Sequence, residues 1–432
     1  AYQYSNSKTQ ADGNASKIWS MCYNVINRAN IILTNVDAAA GDETQKKHIK
    51  GQALAMRGIQ YFHLIQNYQQ TYVIAKSKRG VILRTSSDDE SHKGFSTVEE
   101  VYTQIVSDLT TAKTLLADYN PDDMWLINSK ICSGILARVY LVMQNWDGAY
   151  NEAKIVYDQH SQLMTREQYR SGFDDMISGN YAEVVWAMKY TADNNLGGST
   201  QFNFWYNQDA SYGEGYADGP IYSFLDYFVD EQFVKLFEEK EDRYQFWKRT
   251  NNANTEINTK WAFDKYKHYG EDGGSVIQSA TRPEVCLMRG AEMLLIMAEA
   301  AAQKGNSGEA LNLLNRLQVA RNATPTTNAG GEALLEDIYV ERRKELICEG
   351  QAGFYDLVRL QKRLVRIGES VTNPAGHYVW GMQYLNGYNA LDPQPIGTLE
   401  SNDYRFFCQI PQMEILNNDA ISESDQNPWS GQ

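Results

Sequence analysis

The segment "ERRKELICEGQAGFYDLVRL", from Glu341 to Leu360, combines two very different kinds of sequence in this 432-residue chain. Its first nine residues include six charged side chains, and after a glycine the segment becomes aromatic and apolar. Helical spacing places Glu341 next to both Lys344 and Glu345, so this face combines opposite-charge pairing with like-charge repulsion. Such a face leaves open what it contacts in the folded chain.

Composition and net charge place the chain among folded, acidic proteins. Hydrophobic residues make up 43% and charged residues 22%, which is close to the averages of globular domains. The net charge of −14 disfavours binding to nucleic acids and direct docking on anionic membranes, because both are negatively charged. No apolar run reaches the roughly 18 residues of a membrane-spanning helix. The length allows two or three domains, or one large domain.

Apolar stripes with helical spacing predict paired helices over residues 18–160. The first two stripes are Ile18, Cys22, Val25, Ala29, Ile32 and Val36, followed by Leu54, Gly58, Tyr61, Ile65 and Tyr68. Because only a short polar connection separates these stripes, we expect an antiparallel helical hairpin. A later helix is predicted to begin with a capping box made by Ser96 and Glu99.

Two helix-turn-helix stretches resemble each other when shifted by 161 positions. They are "LARVYLVMQNWDGAYNEAKIVYD" from Leu136 and "MAEAAAQKGNSGEALNLLNRLQV" from Met297. In this register Ala137 corresponds to Ala298. Ala149 likewise corresponds to Ala310, and small residues at such positions are typical of tetratricopeptide helix pairs. An ordinary array repeats about every 34 residues, so we interpret these pairs as a scaffold that a large insertion interrupts.

The predicted insertion, residues 161–282, is rich in Tyr, Trp, Phe, Asn, Gly and Asp. Helical periodicity is lost over most of it, which predicts long structured loops, with a candidate strand in "EVVWAMKY". Helical pairs resume over 283–365, and residues 366–432 are again predicted to be irregular. We expect these parts to form a single domain spanning residues 1–432.

The sequence carries no recognisable catalytic or metal-binding motif. Its six histidines lie far apart and its five cysteines show no CxxC spacing, so we expect no metal site and no cofactor. We interpret the cysteines as small buried hydrophobic residues, with a disulfide left open. The acidic stretch Ser86–His92 lacks the glycine turn of an EF-hand and is interpreted as a solvated loop. Paired carboxylates for glycoside hydrolysis need only spatial proximity, which a sequence does not reveal.

The insertion places many aromatic rings beside amides and carboxylates. The rings are Phe202, Phe204, Trp205, Tyr206, Tyr212, Tyr216 and Tyr222. Amphipathic rings beside hydrogen-bonding groups suit a ligand with apolar C–H faces and hydroxyl edges, and a sugar has both. The alternative for any single ring is that it fills the interior of the loops. Trp146 and Trp186 lie in regular apolar patterns and are predicted to be core residues.

Six parts of the sequence resemble, in order, the successive motifs of the SusD/RagB family, and together they span nearly the whole chain. They are "WSMCYNVINRANIIL", "GQALAMRGIQYFHLIQNY", "FSTVEEVYTQIVSDLTTAKTLL", "SKICSGILARVYLVMQNWDGAYNEA", the pair "RGAEMLLIMAEAAAQKGNSGEALNLLNRLQVAR" and "IYVERRKELICEGQAGFYDLVRL", and "FCQIPQMEILNNDAISESDQNP". The resemblance implies a mainly α SusD-like fold. Four tetratricopeptide-like helix pairs would form an α-α superhelix that supports a large irregular, loop-rich region.

The resemblance also bears on the charged segment. It implies that this helix packs beside the preceding helical pair and ties its acids and arginines into the irregular region. A structural role is therefore favoured over a ligand-binding role. One departure is that the family usually has a basic residue shortly after the Glu-Gly pair, whereas Gln351, Ala352 and Gly353 follow here.

The function implied by the resemblance is non-catalytic. A lipoprotein on the extracellular face of the Bacteroidetes outer membrane would bind an oligosaccharide or other glycan and deliver it to a partner SusC-like TonB-dependent transporter. Membrane contact is expected only through an N-terminal lipid. The lipid-bearing cysteine is expected upstream of Ala1, because Cys22 lies within the first helical stripe.

Ligand residues vary within this family, so the glycan-binding residues are predicted from position. They are Trp205, Tyr206, Asn207, Asp209, Tyr212 and Tyr216 in the insertion, Tyr72 after the first helical pair, and Trp380 and Tyr384 in the C-terminal tract. No catalytic residue is predicted. Two alternatives remain: a tetratricopeptide adaptor that binds a peptide in its concave groove, and a glycan hydrolase.

Overall fold

The fold is mainly helical, as predicted, with a few short strands. The computed structural model describes residues 13–189 except 172, 174, 175 and 178, and also 231–249, 261–263, 265, 284–349, 352–365 and 398–428. The helices are α1 Gly13–Asn35, α2 Glu43–Tyr68, α3 Tyr72–Ala75, α4 Val98–Leu115, α5 Ser129–Met143, α6 Trp146–Tyr157, α7 Arg166–Ser171, α8 Glu231–Val234, α9 Gly290–Gln303, α10 Ser307–Ala320, α11 Gly331–Glu345, α12 Phe354–Arg359 and α13 Gln412–Asn417. The strands are β1 Val184–Lys189, β2 Trp247–Arg249, β3 Trp261–Phe263, β4 Glu284–Arg289, β5 Leu364–Val365 and β6 Thr398–Leu399.

The chain divides into two compact units. The first comprises Ala1–Asp158, Phe354–Leu364 and Leu399–Gln432, and the second comprises Gln159–Gly353 and Val365–Thr398. Helices α1 to α6 belong to the first unit, and α7 to α11 belong to the second. None of the described helices is both long and apolar enough to cross a membrane.

The first unit is built on the predicted N-terminal hairpin. Helix α2 packs against both α1 and α4. The stripe residues Tyr61, Ile65 and Tyr68 are buried, which confirms the predicted contact face. Gly58 permits a close approach of α2 to α4, because a Cβ at this position would lie only 3.1 Å from Cγ of Leu109.

The capping box of α4 lies one residue later than predicted. Thr97, not Ser96, caps the helix: its hydroxyl accepts from the backbone N–H of Glu100 at 3.2 Å. The Glu100 carboxylate accepts from the backbone N–H of Thr97 at 2.7 Å. Ser96 is unavailable because its backbone pairs with the preceding segment, donating to the carbonyl of Val81 and accepting from Gly80. The backbone pairing of Ser96 with Gly80 and Val81 therefore places the cap of α4 one residue later than the sequence predicts.

The predicted repeat is confirmed in the helix pairs α5–α6 and α9–α10, whose members pack against each other. Ala137 and its counterpart Ala298 are fully buried. Ala149 and its counterpart Ala310 are fully buried as well. Both pairs thus bury small side chains at corresponding positions.

The correspondence of the two pairs extends into their turns. Gln144 and Gly305 have left-handed backbone conformations, with φ of 57° and 80°. The next residues, Asn145 and Asn306, are the N-caps of the second helices and accept from backbone N–H groups through their side chains. Each turn therefore stops the first helix and starts the second in the same way.

Two tryptophans and the cysteines test the predicted core. Trp146 and Trp186 are only half-buried, so their assignment to the core is wrong. Trp146 is the first residue of α6, and Trp186 lies where the register of the β1–β4 pair breaks on both sides.

All five thiols are free, with Cys22, Cys132, Cys286 and Cys408 buried and Cys348 partly exposed. The predicted strand "EVVWAMKY" is confirmed as β1.

The charged face of α11 is buried in an ion-pair network centred on Glu345. Its carboxylate accepts from the guanidinium groups of Arg289 at 2.6 Å, Arg321 at 2.9 Å and Arg243 at 3.0 Å. All four side chains are fully buried. Burial opposes ionisation of Glu345, but the three guanidinium groups outweigh it and hold its pKa well below the ordinary value.

Further carboxylates extend the network around the same cations. Glu349 accepts from Nε of Arg289 at 2.6 Å and also pairs with Lys265. Glu183, from the start of the predicted insertion, pairs with Arg289 at 2.7 Å and with Arg321 at 3.1 Å. The insertion and the helical pairs are thereby joined by the same set of charges.

Glu341 finds its main partner outside its own helix. It pairs with Arg243 at 2.5 Å, whereas its predicted partner Lys344 is 3.9 Å away. Lys344 instead pairs at 2.5 Å with Glu241, which also contacts Arg243 at 2.8 Å. The charged side chains of this segment therefore pair with residues distant in the sequence rather than with one another.

The network is balanced in charge among the described residues of the second unit. Five carboxylates and five cations participate, namely Glu183, Glu241, Glu341, Glu345 and Glu349 with Arg243, Lys265, Arg289, Arg321 and Lys344. Equal numbers of opposite charges reduce the cost of moving them out of water. These contacts confirm the structural interpretation of the charged segment.

Substitution of Glu345 by Gln tests the centre of the network. This change removes one buried negative charge and leaves three guanidinium groups undercompensated, so we expect the free energy of unfolding to fall by about 3–5 kcal/mol. Urea denaturation followed by circular dichroism measures the effect. Glu332→Gln, in the exposed first turn of the same helix, is the control, with an expected loss below about 1 kcal/mol. Equal losses in the two variants would contradict a central role for Glu345.

The pH dependence of stability follows from the lowered pKa of Glu345 and Glu349. Both groups contribute stability above their unfolded pKa of 4.5 and lose it as the pH falls through the lower folded values. We expect the thermal unfolding midpoint to be nearly flat from about pH 8 to about pH 5 and to fall steeply below about pH 4. The Glu345→Gln variant should show a shallower acid limb, and an identical limb in both proteins would overturn this assignment.

Candidate functional site

The structure describes the position of one predicted glycan-binding residue, Tyr72. The other eight, Trp205, Tyr206, Asn207, Asp209, Tyr212, Tyr216, Trp380 and Tyr384, lie outside the described residues. Whether the structure brings these nine residues together therefore stays a prediction. The described part of the candidate site consists of Tyr72 and its neighbours in the first unit.

Tyr72 is a half-buried ring at the start of α3. It contacts the buried ring of Tyr102 edge to face, with 5.0 Å between the centroids and an interplanar angle of 66°. Tyr102 in turn packs against Phe62 at 6.2 Å. One side of the Tyr72 ring is thus anchored on the core, which limits its motion and leaves the exposed part able to contact a ligand.

Apolar side chains continue the surface beside Tyr72. Val73 is 39% exposed and Ile74 is 45% exposed. Nζ of Lys76 lies 5.8 Å from the centroid of the Tyr72 ring and pairs with Glu99 at 2.9 Å. This edge of the unit therefore offers a ring and apolar side chains, the surface that the C–H face of a sugar can contact.

A cleft adjoins this edge through Tyr102. Its lining residues, all in the first unit, are Gln66, Gln69, Gln70, Thr71, Tyr102, Val142, Tyr355, Val358 and Arg359. Amides, a hydroxyl and aromatic rings thus meet in one small space. Such a combination can recognise a ligand that has both hydroxyl groups and apolar faces.

Sequence reasoning proposed Tyr72 as a ligand-binding residue but did not indicate the cleft beside it. The available signal was "QNYQQT", residues Gln66 to Thr71, a run of amides and a hydroxyl at the end of α2. The apolar stripe of α2 predicts only that the helix packs against its neighbours, and it gives no indication that the polar end of the helix lines a cleft. Tyr355 and Arg359 reach the same cleft from a segment almost 300 residues later, which no local pattern indicates.

Comparison with protein families gives two matches on this chain. The family described as "Starch-binding associating with outer membrane" matches residues 1–141. The family described as "SusD family" matches residues 232–429. Together the matches include the first helical hairpin, the edge at Tyr72 and the charged segment.

Individual relatives extend over most of the chain. SusD-like protein P2 of Formosa agariphila is 25% identical over 453 residues, which cover 96% of this chain and 81% of that protein. The crystal structure of a SusD-like carbohydrate binding protein from Bacteroides vulgatus superposes with a TM-score of 0.78 at 27% identity, covering 97% of this chain and 86% of the other. A SusD superfamily protein from Bacteroides thetaiotaomicron gives a TM-score of 0.75 at 26% identity, covering 95% and 85% of the two chains.

These findings agree with the order of the sequence motifs. The family matches fall on the motif-bearing segments at both ends of the chain, and the structural similarity runs through nearly all of it. The chain belongs to the SusD/RagB family.

Proposed function

We propose that this protein binds an oligosaccharide without transforming it and delivers the sugar to a SusC-like TonB-dependent transporter. The observation that carries the proposal is the similarity over 97% of the chain to a SusD-like carbohydrate binding protein. The family is associated with the outer membrane. We place the protein on the extracellular face of that membrane, attached through an N-terminal lipid.

The geometry of the first unit supports a sugar ligand. The Tyr72 ring is anchored by Tyr102 and flanked by exposed apolar side chains, and amide side chains line the neighbouring cleft. Sugars bind to proteins through this combination of ring contacts and hydrogen bonds. The predicted residues of the insertion and the C-terminal tract would complete the site.

The described carboxyl groups give no support to the hydrolase alternative. A general acid in glycoside hydrolysis needs a raised pKa. Where the pKa of a described Asp or Glu departs from its ordinary value, it is lowered, as at Glu345 and Glu349 beside their cations. These groups are ionised at neutral pH and cannot donate a proton to a leaving group.

The adaptor alternative needs an open helical surface for a peptide. In the second unit, the face of α11 that carries Glu341 and Glu345 is only 2% and 0% exposed. The charges that cover this face include Arg243, from the chain's own insertion. A peptide cannot occupy that face without displacing a buried ion-pair network.

Binding without turnover is the first expected result. Isothermal titration calorimetry against plant, microbial and host oligosaccharides should give at least one saturable interaction, and chromatography of the same samples should recover the sugar unchanged. Shortened products would contradict the proposal in favour of a hydrolase. If no sugar binds to the protein, either alone or co-purified with its transporter, the carbohydrate function is wrong.

Ring truncations test the predicted site. Loss of one stacking contact should weaken binding by about two- to tenfold, so we expect Tyr72→Ala, Trp205→Ala and Trp380→Ala each to lower affinity while the circular dichroism spectrum is preserved. The control is Tyr119→Ala, which removes a half-buried ring that packs on His48 in the same unit as Tyr72. Unchanged affinity in all three variants would exclude this site while leaving the family assignment intact.

A further inference from the structure

Helix α1 has an exposed side in addition to the side that is buried. Residues at steps of three and four along a helix share one side of it. Away from the buried Cys22, Ile26 and Ala29, this spacing selects a set of exposed side chains that we call the outer face of α1. Its members are Lys17, Met21, Asn24, Arg28, Ile31 and Ile32.

The outer face carries apolar side chains that solvent can reach. Met21 is 61% exposed, Ile31 is 47% exposed and Ile32 is 39% exposed. Ile32 belongs to the apolar stripe that the sequence predicts, so its exposure corrects that part of the prediction. Single exposed apolar residues are normal, but several that share one helix face indicate a contact with another molecule.

The charge of α1 differs from that of the whole chain. The chain has 54 acidic and 40 basic residues, yet the 23 residues of α1 include no Asp and no Glu. Its charged residues are Lys17 and Arg28, and both belong to the outer face. The outer face is therefore a positive strip on a protein with a net charge of −14.

Lys17 and Arg28 form no ion pair with any residue that the structure describes. By contrast, seven lysines elsewhere in the first unit lie 2.5–2.9 Å from a carboxylate oxygen, as Lys47 does from Asp118. The two cations of α1 are thus available to carboxylates of a partner. Such complementary charges steer association and fix the orientation of the two molecules.

The composition of the outer face matches that of a protein–protein contact. Met and Arg are enriched in such contacts, whereas Asp and Glu are depleted. Two cations along a helix of roughly 35 Å are fewer than the clusters of about four to eight that recognise anionic membranes. The outer face also has no aromatic ring on which a sugar could stack.

A second copy of this chain does not fit the outer face. Pairing of two α1 helices through this face would bring Lys17 and Arg28 of both copies into one contact, and α1 supplies no carboxylate to balance them. Juxtaposed like charges disfavour an association. The partner that fits is a different protein, with an apolar surface that carries carboxylates at its rim.

We infer that the outer face of α1 is the surface through which this protein docks on the transporter of the proposed function. The inference rests on the proposed function and adds to it the docking surface and the chemistry of the partner. The transporter contributes apolar side chains against Met21, Ile31 and Ile32, and carboxylates that pair with Lys17 and Arg28.

Charge-introducing variants of the outer face test this docking surface. The variants are Arg28→Glu, which reverses a charge, and Ile31→Glu, which places a charge in the apolar contact. Microscale thermophoresis with the purified SusC-like transporter in detergent measures the affinity. We expect each variant to bind about tenfold more weakly than the wild type. The affinity for the oligosaccharide should be unchanged, because neither residue belongs to the predicted sugar site.

Two matched variants serve as controls. Lys154→Glu reverses the charge of an exposed lysine on α6. Val319→Glu places a charge on an apolar residue of α10 that is 65% exposed. Both should bind the transporter as the wild type does, and circular dichroism should show that all four variants are folded.

The possible results separate this inference from the proposed function. Wild-type affinity of both Arg28→Glu and Ile31→Glu for the transporter would overturn the docking surface and leave the proposed function standing. Dimers of the wild type in analytical ultracentrifugation that Ile31→Glu dissociates would show that a second copy occupies the face, which also overturns the inference. If the wild type binds sugar but not the transporter, the delivery step is wrong and the inference falls with it.

Photocrosslinking gives a direct second measurement. The crosslinker p-benzoylphenylalanine is placed at Asn24, in the middle of the outer face, and at Thr103, an exposed residue of α4, as the control. Irradiation of the complex with the transporter should give a crosslinked product from position 24 and not from position 103. Crosslinking from position 103 alone would overturn the inference.

Discussion

The buried ion pairs around Glu345 are the interaction on which the second unit depends. A lone charge in such a position would be removed from water at great cost, and the Glu345 carboxylate is tolerated because three guanidinium groups surround it. The requirement is mutual, since Arg243, Arg289 and Arg321 are equally buried and equally in need of an anion. Removal of any one member leaves several buried charges without a counter-ion, so the ion pairs of the network depend on one another.

This constraint gives the irregular insertion a fixed attachment to the helical scaffold. Arg243 and Lys265 pair with Glu345 and Glu349, at the end of α11 and just after it. Glu183 joins the same network through Arg289, which also pairs with Glu345. Apolar packing could hold helices together, but it is non-directional, whereas ion pairs with hydrogen-bond geometry specify position. Loops that must present ligand-binding side chains benefit from anchors of this kind.

The first unit is stabilised in a different way. Helices α1, α2 and α4 pack through apolar side chains, with the buried Arg57–Asp108 ion pair between α2 and α4, and the surface of the unit carries an anchored ring at Tyr72.

The sequence by itself determined the helices, the two related helix pairs and the family, because these follow from local periodicity and from motifs in a fixed order. Ala137 and Ala298 could be matched from their register alone, and both are buried. Tertiary structure decided what depends on partners distant in the chain. Pairing of Ser96 with Val81 moved a helix cap to Thr97, and a broken strand register left Trp186 half-exposed. The partners of Glu345, and the meeting of Thr71 with Arg359 in one cleft, likewise arise only when separate segments fold together.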